Sequence, residues 1–259
     1  MSLQPLSNLS DNKALQNLRL VAADLDGTIT KNGKFTPAFL RAMEKLTAAN
    51  IQMLIVTGRS AGWVQAIKNY LPVIGAIAEN GGVFFPGFGE EPELLTPIEN
   101  PTVYRQQLGD IFQHLKSQFP DIVESSDNRF RLTDWTFDVG GLSNSNLQTL
   151  QQLCGERNYG FTYSNVQCHI KPLEQDKATG LLQVLSRYFP QWETEQIVTV
   201  GDSPNDESLF DKSKFSLSVG VANIIDYADK LRHRPVYITT NKEADGFCEL
   251  VEILIAINN

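Results

Sequence analysis

The chain has 259 residues, of which 42% are hydrophobic and 20% are charged, with 22 Lys and Arg against 30 Asp and Glu. This composition is typical of one large or two modest globular domains and disfavours disorder, collagen-like repeats and coiled coils. The net charge of -8 comes without a basic run. The chain therefore lacks the electrostatic footprint of a protein that binds nucleic acid or anionic membranes, although a local basic pocket stays compatible with it.

The start of the chain and its cysteines carry little signal. Residues 1–13 lack the basic start and apolar core of a signal peptide. No apolar run approaches the roughly 18 residues that a membrane helix needs. Three widely spaced cysteines, Cys154, Cys168 and Cys248, indicate neither a disulfide framework nor a metal knuckle. We expect a soluble, cytoplasmic protein with no nucleic-acid or membrane partner, and we leave its oligomeric state open.

The first part of the chain alternates short apolar runs with amphipathic stretches. Residues 18–23, 51–56 and 74–78 are predicted strands, and the first is apolar except for Arg19. Thr36 is a predicted helix N-cap followed by Pro37, and a second predicted helix carries Trp63, Ile67 and Tyr70 on one side. This alternation predicts an α/β fold with a doubly wound, mainly parallel sheet, that is, a Rossmann-like core.

The same alternation resumes near the C-terminus. A helix is predicted from about Asp176, and strands are predicted over residues 196–200, 215–221 and 236–240. Asp245 is the predicted N-cap of a last helix.

The middle of the chain has a different hydrophobic pattern from the two ends. Two amphipathic helices and short alternating runs predict an α+β cap domain over residues 98–172, inserted between core segments 1–97 and 173–259. Two runs facing each other across Ser164-Asn165 predict a hairpin. Arg129 and Arg131 are interpreted as the solvated face of a cap strand, and His169, near the returning linker, is not assigned to the cleft.

Acidic residues follow two of the predicted core strands. Asp24 and Asp26 come directly after the first strand, and Asp202 and Asp206 follow a later one. Ligands bind at this edge of open α/β sheets. If the strands are neighbours, the carboxylates converge, and two like charges 4 Å apart repel by about 4 kcal/mol at an effective dielectric of 20. Oxygen-only ligands favour a hard cation, and we predict Mg²⁺.

Four short segments stand out in order along the chain: Asp24-Leu25-Asp26-Gly27-Thr28, Thr57 after Ile55-Val56, Lys177, and Gly201-Asp202-Ser203-Pro204-Asn205-Asp206. Together they give the chain a clear resemblance to the haloacid dehalogenase superfamily, in its Cof-type and sucrose-phosphatase-like branch. That family typically has a Gly after the lysine of its third motif, where this chain has Ala178.

The resemblance implies a role for each of these residues. Asp24 would attack phosphorus to form an aspartyl-phosphate, and Asp26 would act as general acid and then general base. Thr57 and Lys177 would bind phosphoryl oxygens, completing the catalytic set. The remaining implied roles are substrate binding by Thr57, Gly58, Arg59, Lys177 and Asn205, and Mg²⁺ binding by Asp24, the Asp26 backbone carbonyl, Asp202 and Asp206.

The resulting hypothesis is a Mg²⁺-dependent phosphatase of small phosphomonoesters, with sugar phosphates as the substrate class that the resemblance implies. A phosphosugar mutase of the same superfamily is the enzymatic alternative, because the core motifs do not separate the two. A phosphate-accepting module similar to a response-regulator receiver, or a catalytically silent regulator, belongs to a different class. A receiver is about half this length and has no inserted cap.

Overall fold

The computed structural model describes residues 3–11, 13–87 and 89–258. Residues 1, 2, 12, 88 and 259, which fall in the predicted core segments, lie outside the described residues. Among the described residues, no helix combines the length and the hydrophobicity that crossing a lipid bilayer requires.

Nine strands within the described ranges form the larger sheet, in the order β1-β12-β11-β10-β2-β3-β4-β5-β6. Every pair from β1 to β4 is parallel, and the pairs β4-β5 and β5-β6 are antiparallel. The predicted mainly parallel α/β fold is confirmed. The strands are β1 (Gln4–Pro5), β2 (Leu20–Ala23), β3 (Gln52–Val56), β4 (Gly75–Ala78), β5 (Val83–Phe85), β6 (Glu93–Leu94), β10 (Ile197–Gly201), β11 (Leu217–Gly220) and β12 (Tyr237–Ile238).

Helices cover both faces of this sheet, as doubly wound folds require. Alternating residues of β2 show the division, since Val21 belongs to one apolar cluster and Ala22 to the other. The first cluster includes side chains of α1 (Pro37–Ala48), α2 (Ala61–Tyr70) and α6 (Glu243–Asn258), and the second those of α5 (Lys177–Tyr188).

The predicted helix starts are right in one case and wrong in another. Thr36 caps α1 as predicted, because its side chain accepts a hydrogen bond from the Phe39 N–H at 3.1 Å. Asp245 is not an N-cap, since α6 begins two residues earlier at Glu243. Asp245 instead forms an exposed ion pair with Lys31 at 2.6 Å.

A smaller antiparallel sheet has the order β7-β9-β8, with strands β7 (Trp135–Asp138), β8 (Tyr159–Tyr163) and β9 (Gln167–Pro172). Together with α3 (Pro101–Gln118) and α4 (Asn144–Gly155) it encloses a third apolar cluster. The predicted β8-β9 hairpin is present, with residues 164–166 at its turn. The cap boundaries at residues 98 and 172 stay a prediction.

The N-terminal segment belongs to the large sheet, which the sequence pattern did not reveal. Strand β1 pairs with β12 at the edge of the sheet, and two 3-10 helices follow, Leu6–Asp11 and Lys13–Asn17. Leu6, Leu9 and Leu15 are buried in the first apolar cluster. A two-residue strand is too short to produce a periodic signal.

Arg131 lies at a buried junction between the two sheets, so its prediction as a solvated residue is wrong. Its guanidinium donates to Asp127 at 3.0 Å and to Asp134 at 2.9 Å. It also donates to the backbone carbonyl of Gly58, just after β3, at 3.0 Å. The predicted strand is absent here, because Asn128–Phe130 forms a short 3-10 turn that directs Arg131 inward.

Glu79 is the second buried charge of this junction. It follows β4 with a φ of 54° and is fully buried. Its carboxylate accepts hydrogen bonds from the N–H groups of Leu132 at 3.0 Å, Thr133 at 2.6 Å and Ala61 at 2.9 Å. Burial raises the pKa of Glu79, and Asp134 adds to the shift. Hydrogen bonds to the Glu79 carboxylate thus hold the segment before β7 against the large sheet.

We expect the Arg131→Met variant to lose about 3–5 kcal/mol of unfolding free energy, because Asp127 and Asp134 would keep buried charge without their cation. Lys45→Met is the control, since it breaks an exposed ion pair with Glu252 and should cost less than about 1 kcal/mol. Urea unfolding measures both variants. Equal losses would contradict a structural role for the Arg131 ion pairs.

Candidate active site

Two neighbouring strands carry the predicted acids to one edge of the sheet. Strands β2 and β10 pair with Ala23 opposite Val200, and the Asp24 N–H donates to the Val200 carbonyl at 2.9 Å. Asp24 and Asp202 therefore follow adjacent strand ends. Carboxylate oxygens of Asp24, Asp202 and Asp206, all buried, lie within 4.8 Å of one another. The structure thus brings three of the four predicted acids into one cluster.

Lys177, the first residue of α5, is fully buried against this cluster. Its Nζ lies 2.5 Å from Oδ1 of Asp24 and 2.6 Å from Oδ1 of Asp206. Burial alone would lower the pKa of Lys177, but the two carboxylates outweigh it and raise that pKa. Lys177 is therefore a fixed cation that bridges the acids that follow β2 and β10.

Three carboxylates against one lysine leave uncompensated negative charge. Burial raises the pKa of Asp24 to about 7, with further contributions from Asp206 and Asp26 and an opposing one from Lys177. Burial also raises the pKa of Asp202, and Asp24 and Asp206 add to the shift. The acids destabilise one another as anions, which is the electrostatic setting of many functional sites.

Close backbone packing fixes where Lys177 enters the cluster. A Cβ at Gly180 in α5 would lie 2.6 Å from Cα of Gly81, in the turn after β4. A Cβ at Gly81, whose φ is 101°, would clash with the backbone carbonyl of Asp176. Ala178, the departure from the family pattern, packs fully buried in an apolar cluster and disturbs nothing near Lys177.

The donor set of the cluster fits a hard divalent cation. Hydrogen bonds orient Asp202, which accepts from Thr28 Oγ1 at 2.9 Å and from Asn223 Nδ2 at 2.7 Å. Asp206 Oδ2 accepts from the backbone N–H groups of Asp202 at 2.9 Å and of Ser203 at 3.1 Å. Only oxygen ligands are offered, and Mg²⁺ prefers these.

Asp26 stands apart from this cluster. Arg59 holds its carboxylate with two hydrogen bonds, from Nε at 2.6 Å and from an Nη at 2.7 Å. The Arg59 guanidinium also stacks on Trp63, 4.5 Å from the ring centroid. The two residues predicted as general acid and substrate ligand are therefore paired with each other. Binding of Mg²⁺ by the backbone carbonyl of Asp26 stays a prediction.

A narrow cavity lies above Asp24, between the large sheet and the β8-β9 hairpin. Its volume is about 10 Å³. Among its lining residues are six of the predicted ones, and Lys177 lies beneath it through its contact with Asp24. The lining residues are Asp24, Asp26, Thr57, Gly58, Arg59, Ser164, Val166, Gln167, His169 and Asn205.

Four of these lining residues were not predicted, and all four come from the β8-β9 hairpin. His169 in particular is buried in the cavity wall, contrary to its interpretation from sequence. Alternation along β9 carries the signal that could have found it. Cys168 and Ile170 belong to the apolar cluster on one face of the strand, and Gln167 and His169 point to the other face.

Buried acids at the carboxyl ends of parallel strands, beside a buried lysine, are typical of α/β enzymes, which bind their ligands at this sheet edge. Comparison with known proteins gives the family. Residues 21–130 and 136–250 match the haloacid dehalogenase-like hydrolase family, so the chain belongs to it. The resemblance inferred from the sequence motifs is confirmed.

Similar proteins extend over nearly the whole chain. Phosphoglycolate phosphatase 1 of Saccharolobus solfataricus is 29% identical over 245 residues, covering 92% of this chain and 96% of the relative. Phosphoglycolate phosphatase of Methanothrix thermoacetophila is 27% identical over 241 residues, covering 91% and 96%. The Synechocystis sucrose-phosphatase, solved with sucrose and phosphate, superposes with a TM-score of 0.69 at 17% identity, covering 92% of this chain and 98% of that structure. This last likeness shows the fold.

We expect Asp24→Asn to stabilise the metal-free protein in EDTA at pH 8. The folded-state pKa of Asp24 is raised to about 7, so its anion opposes folding, and the penalty grows as pH rises from the unfolded value of 3.8 through 7. The unfolding free energy of Asp24→Asn should exceed that of the wild type by about 1–4 kcal/mol at pH 8, and the difference should shrink toward pH 5. Urea unfolding at both pH values measures it. Exposed Asp121→Asn is the control, and a less stable Asp24→Asn at pH 8 would contradict the account.

Proposed function

We propose that this protein is a Mg²⁺-dependent phosphatase that hydrolyses small phosphomonoesters through an aspartyl-phosphate on Asp24. The chain is a phosphoric monoester hydrolase, because it belongs to a hydrolase family whose relatives described above are phosphatases. The observation that carries the proposal is the Lys177 bridge between Asp24 and Asp206 within a buried carboxylate cluster. Phosphoryl transfer depends mainly on such positioning and charge neutralisation.

Asp24 is the proposed nucleophile. Its carboxylate lines the cavity and holds Lys177 at 2.5 Å, which favours the anion that attack on phosphorus requires. Asp24 thereby splits one difficult hydrolysis into two displacements: the ester oxygen leaves in the first, and water releases phosphate in the second.

Asp26 is the proposed general acid and base, since it lines the same cavity two residues further on. It protonates the leaving alkoxide in the first step and takes a proton from the attacking water in the second. To transfer these protons, the Asp26 carboxylate must first break its hydrogen bonds with Arg59. A bound phosphate is negatively charged and gives the Arg59 guanidinium an alternative partner. Arg59 thus supports both the predicted substrate contact and the release of Asp26.

Thr57 and Asn205 are the proposed polar contacts of the phosphoryl group. Thr57 Oγ1 accepts a hydrogen bond from the Arg59 N–H at 3.2 Å, which leaves its own hydroxyl hydrogen to donate. Asn205 lines the cavity and is anchored to Asn80 by its Nδ2 at 3.0 Å. Gly58 lies between Thr57 and Arg59, where a side chain would meet the His169 ring and Asn80.

Mg²⁺ would be held by Asp24, Asp202 and the backbone carbonyl of Asp26, with Asp206 beside them. Its positive charge would offset the repulsion between the nucleophile and the phosphate. The three buried carboxylates support this, since one lysine leaves their charge uncompensated.

The cavity beneath the hairpin has a volume of about 10 Å³, room for about one water molecule, so the hairpin must move away from Asp24 before a phosphomonoester binds. Sugar phosphates are the class implied by the motifs. Phosphoglycolate is the second candidate, favoured by the names of the two curated relatives. A mutase of the same superfamily stays the enzymatic alternative, and dependence on a sugar bisphosphate would reveal it.

Phosphate release from a panel of sugar phosphates, phosphoglycolate and other monoesters, with Mg²⁺ and with EDTA, tests the proposal. We expect release from a few members with Mg²⁺, loss in EDTA and recovery when Mg²⁺ is returned. Folded protein that releases phosphate from none of them overturns it in favour of a mutase or a silent relative.

We expect Asp26→Asn to lower the turnover of alkyl phosphates by roughly 10²–10⁴-fold, because both steps lose their proton carrier. With p-nitrophenyl phosphate, whose leaving group needs no acid, the same variant should release about one nitrophenolate per enzyme in a fast phase and then stall as the aspartyl-phosphate. Rapid-mixing absorbance measures this. Asp24→Asn is the matched control, and a similar fast phase from it contradicts the assignment of the nucleophile.

A further inference from the structure

We propose that His169 is a specificity-determining residue that accepts a hydrogen bond from a hydroxyl of the leaving group, so that this enzyme prefers hydroxyl-bearing phosphomonoesters to phosphoglycolate. The inference rests on the proposed phosphatase function and names the substrate class within it. It assigns a role to a buried side chain that neither the motifs nor the proposed catalytic steps use.

The position of His169 places it against the leaving group rather than the phosphoryl group. Its ring lies in the cavity wall contributed by β9, opposite the strand ends that carry Asp24 and Asp26. Ring atom Cε1 lies 3.1 Å from the point that a Cβ at Gly58 would occupy, directly after Thr57. In-line attack by Asp24 leaves the ester oxygen on the far side of phosphorus from Asp24, which is the side of the β9 wall.

The neighbours of His169 fix which of its nitrogens carries hydrogen. Nδ1 lies 2.8 Å from Oδ2 of Asp134, and both oxygens of that carboxylate accept from Arg131 Nη1, at 2.9 and 3.0 Å. Burial alone would raise the pKa of Asp134, but Arg131 and His169 outweigh it and lower that pKa. Asp134 is therefore an anion that can only accept, and Nδ1 must be the donor.

The second ring nitrogen of His169 is therefore an acceptor in the neutral ring. Burial lowers the pKa of His169, and the charges of Arg131 and Lys177 act in the same direction against the opposing effect of Asp134. The imidazole stays neutral at pH 7, with its hydrogen on Nδ1 and a lone pair on Nε2. No residue in the described part of the chain bonds to Nε2.

The other polar side chains of this wall are already engaged. Gln167 accepts from Arg131 at 2.9 Å through Oε1 and donates to Asp127 at 3.2 Å through Nε2. The hydroxyl oxygen of Ser164 accepts from the backbone N–H groups of Val166 and Gln167 at the hairpin turn. Nε2 of His169 is thus the side-chain acceptor of this wall that has no partner among the described residues, and the Ser164 hydroxyl keeps its own hydrogen to donate.

A hydroxyl satisfies this acceptor and a carboxylate does not. A leaving group with an O–H near the ester oxygen, as in polyol and sugar phosphates, donates to Nε2. The carboxylate of phosphoglycolate would face a lone pair. Arg59, the cation that lines the cavity, pairs with Asp26 and, in the proposed function, with the bound phosphate. It is therefore not available to pair with the carboxylate of phosphoglycolate. An unsatisfied buried charge is costly, so the site discriminates against the acid.

Three two-carbon monoesters test the proposal on the wild-type enzyme: 2-hydroxyethyl phosphate, phosphoglycolate and ethyl phosphate. They share the phosphate and differ in the terminal hydroxyl, carboxylate or methyl group. We expect kcat/KM for the hydroxyethyl ester to exceed that for ethyl phosphate by about fivefold to tenfold, the fold-change of one hydrogen bond. We expect phosphoglycolate to be poorer than both.

His169→Phe removes the acceptor while keeping an aromatic ring of similar shape. We expect the ratio of kcat/KM for hydroxyethyl to ethyl phosphate to fall to about one in this variant. His114→Phe, outside the cavity, should keep the wild-type ratio. The ratio of the two kcat/KM values reports recognition of the hydroxyl group separately from any overall loss of rate. If the variant does not fold, the comparison of the three esters on the wild-type enzyme still tests the proposal.

The outcomes separate this inference from the proposed function. Wild-type enzyme that hydrolyses no monoester with Mg²⁺ contradicts the phosphatase itself. Wild-type enzyme that is active but favours phosphoglycolate, or treats the hydroxyl and methyl esters alike, overturns the role of His169 and leaves the phosphatase standing. A hydroxyl preference that survives in folded His169→Phe also overturns that role.

Discussion

The crowding of three buried carboxylates around one lysine is the constraint on which the rest of this structure depends. Asp24, Asp202 and Asp206 bring more negative charge beneath the cavity than Lys177 neutralises. In a low-dielectric site this arrangement costs folding free energy. The same excess charge would favour binding of a hard cation, so the folding cost and the proposed metal binding have one origin.

The surrounding fold holds the acids in place despite their repulsion. Adjacent parallel strands deliver Asp24 and Asp202, backbone N–H groups hold Asp206, and the close contact of Gly81 with Gly180 fixes the start of α5. The smaller sheet is joined to this edge by the buried charges of Glu79 and Arg131. The residues that form the cavity roof are thereby coupled, through polar contacts, to the loop that carries Thr57 and Gly58.

A residue could be placed from the sequence when a local pattern determined its position, and could not be placed when its position depended on a tertiary contact. Asp24 could be placed because an apolar run ends before it, and strand ends converge in parallel sheets. Arg131 could not, because its burial depends on Asp127, Asp134 and a carbonyl 73 residues away. His169 carried a usable signal in the alternation of β9, but the partner that orients it, Asp134, becomes visible only in the folded chain.

Calorimetric titration of Mg²⁺ into EDTA-treated, dialysed protein tests whether a divalent cation completes the carboxylate cluster. We expect one Mg²⁺ site on the wild-type enzyme and its loss in Asp202→Asn, a variant that keeps the size of the side chain. Equal Mg²⁺ binding by both proteins, or an active wild-type enzyme that binds none, would contradict it.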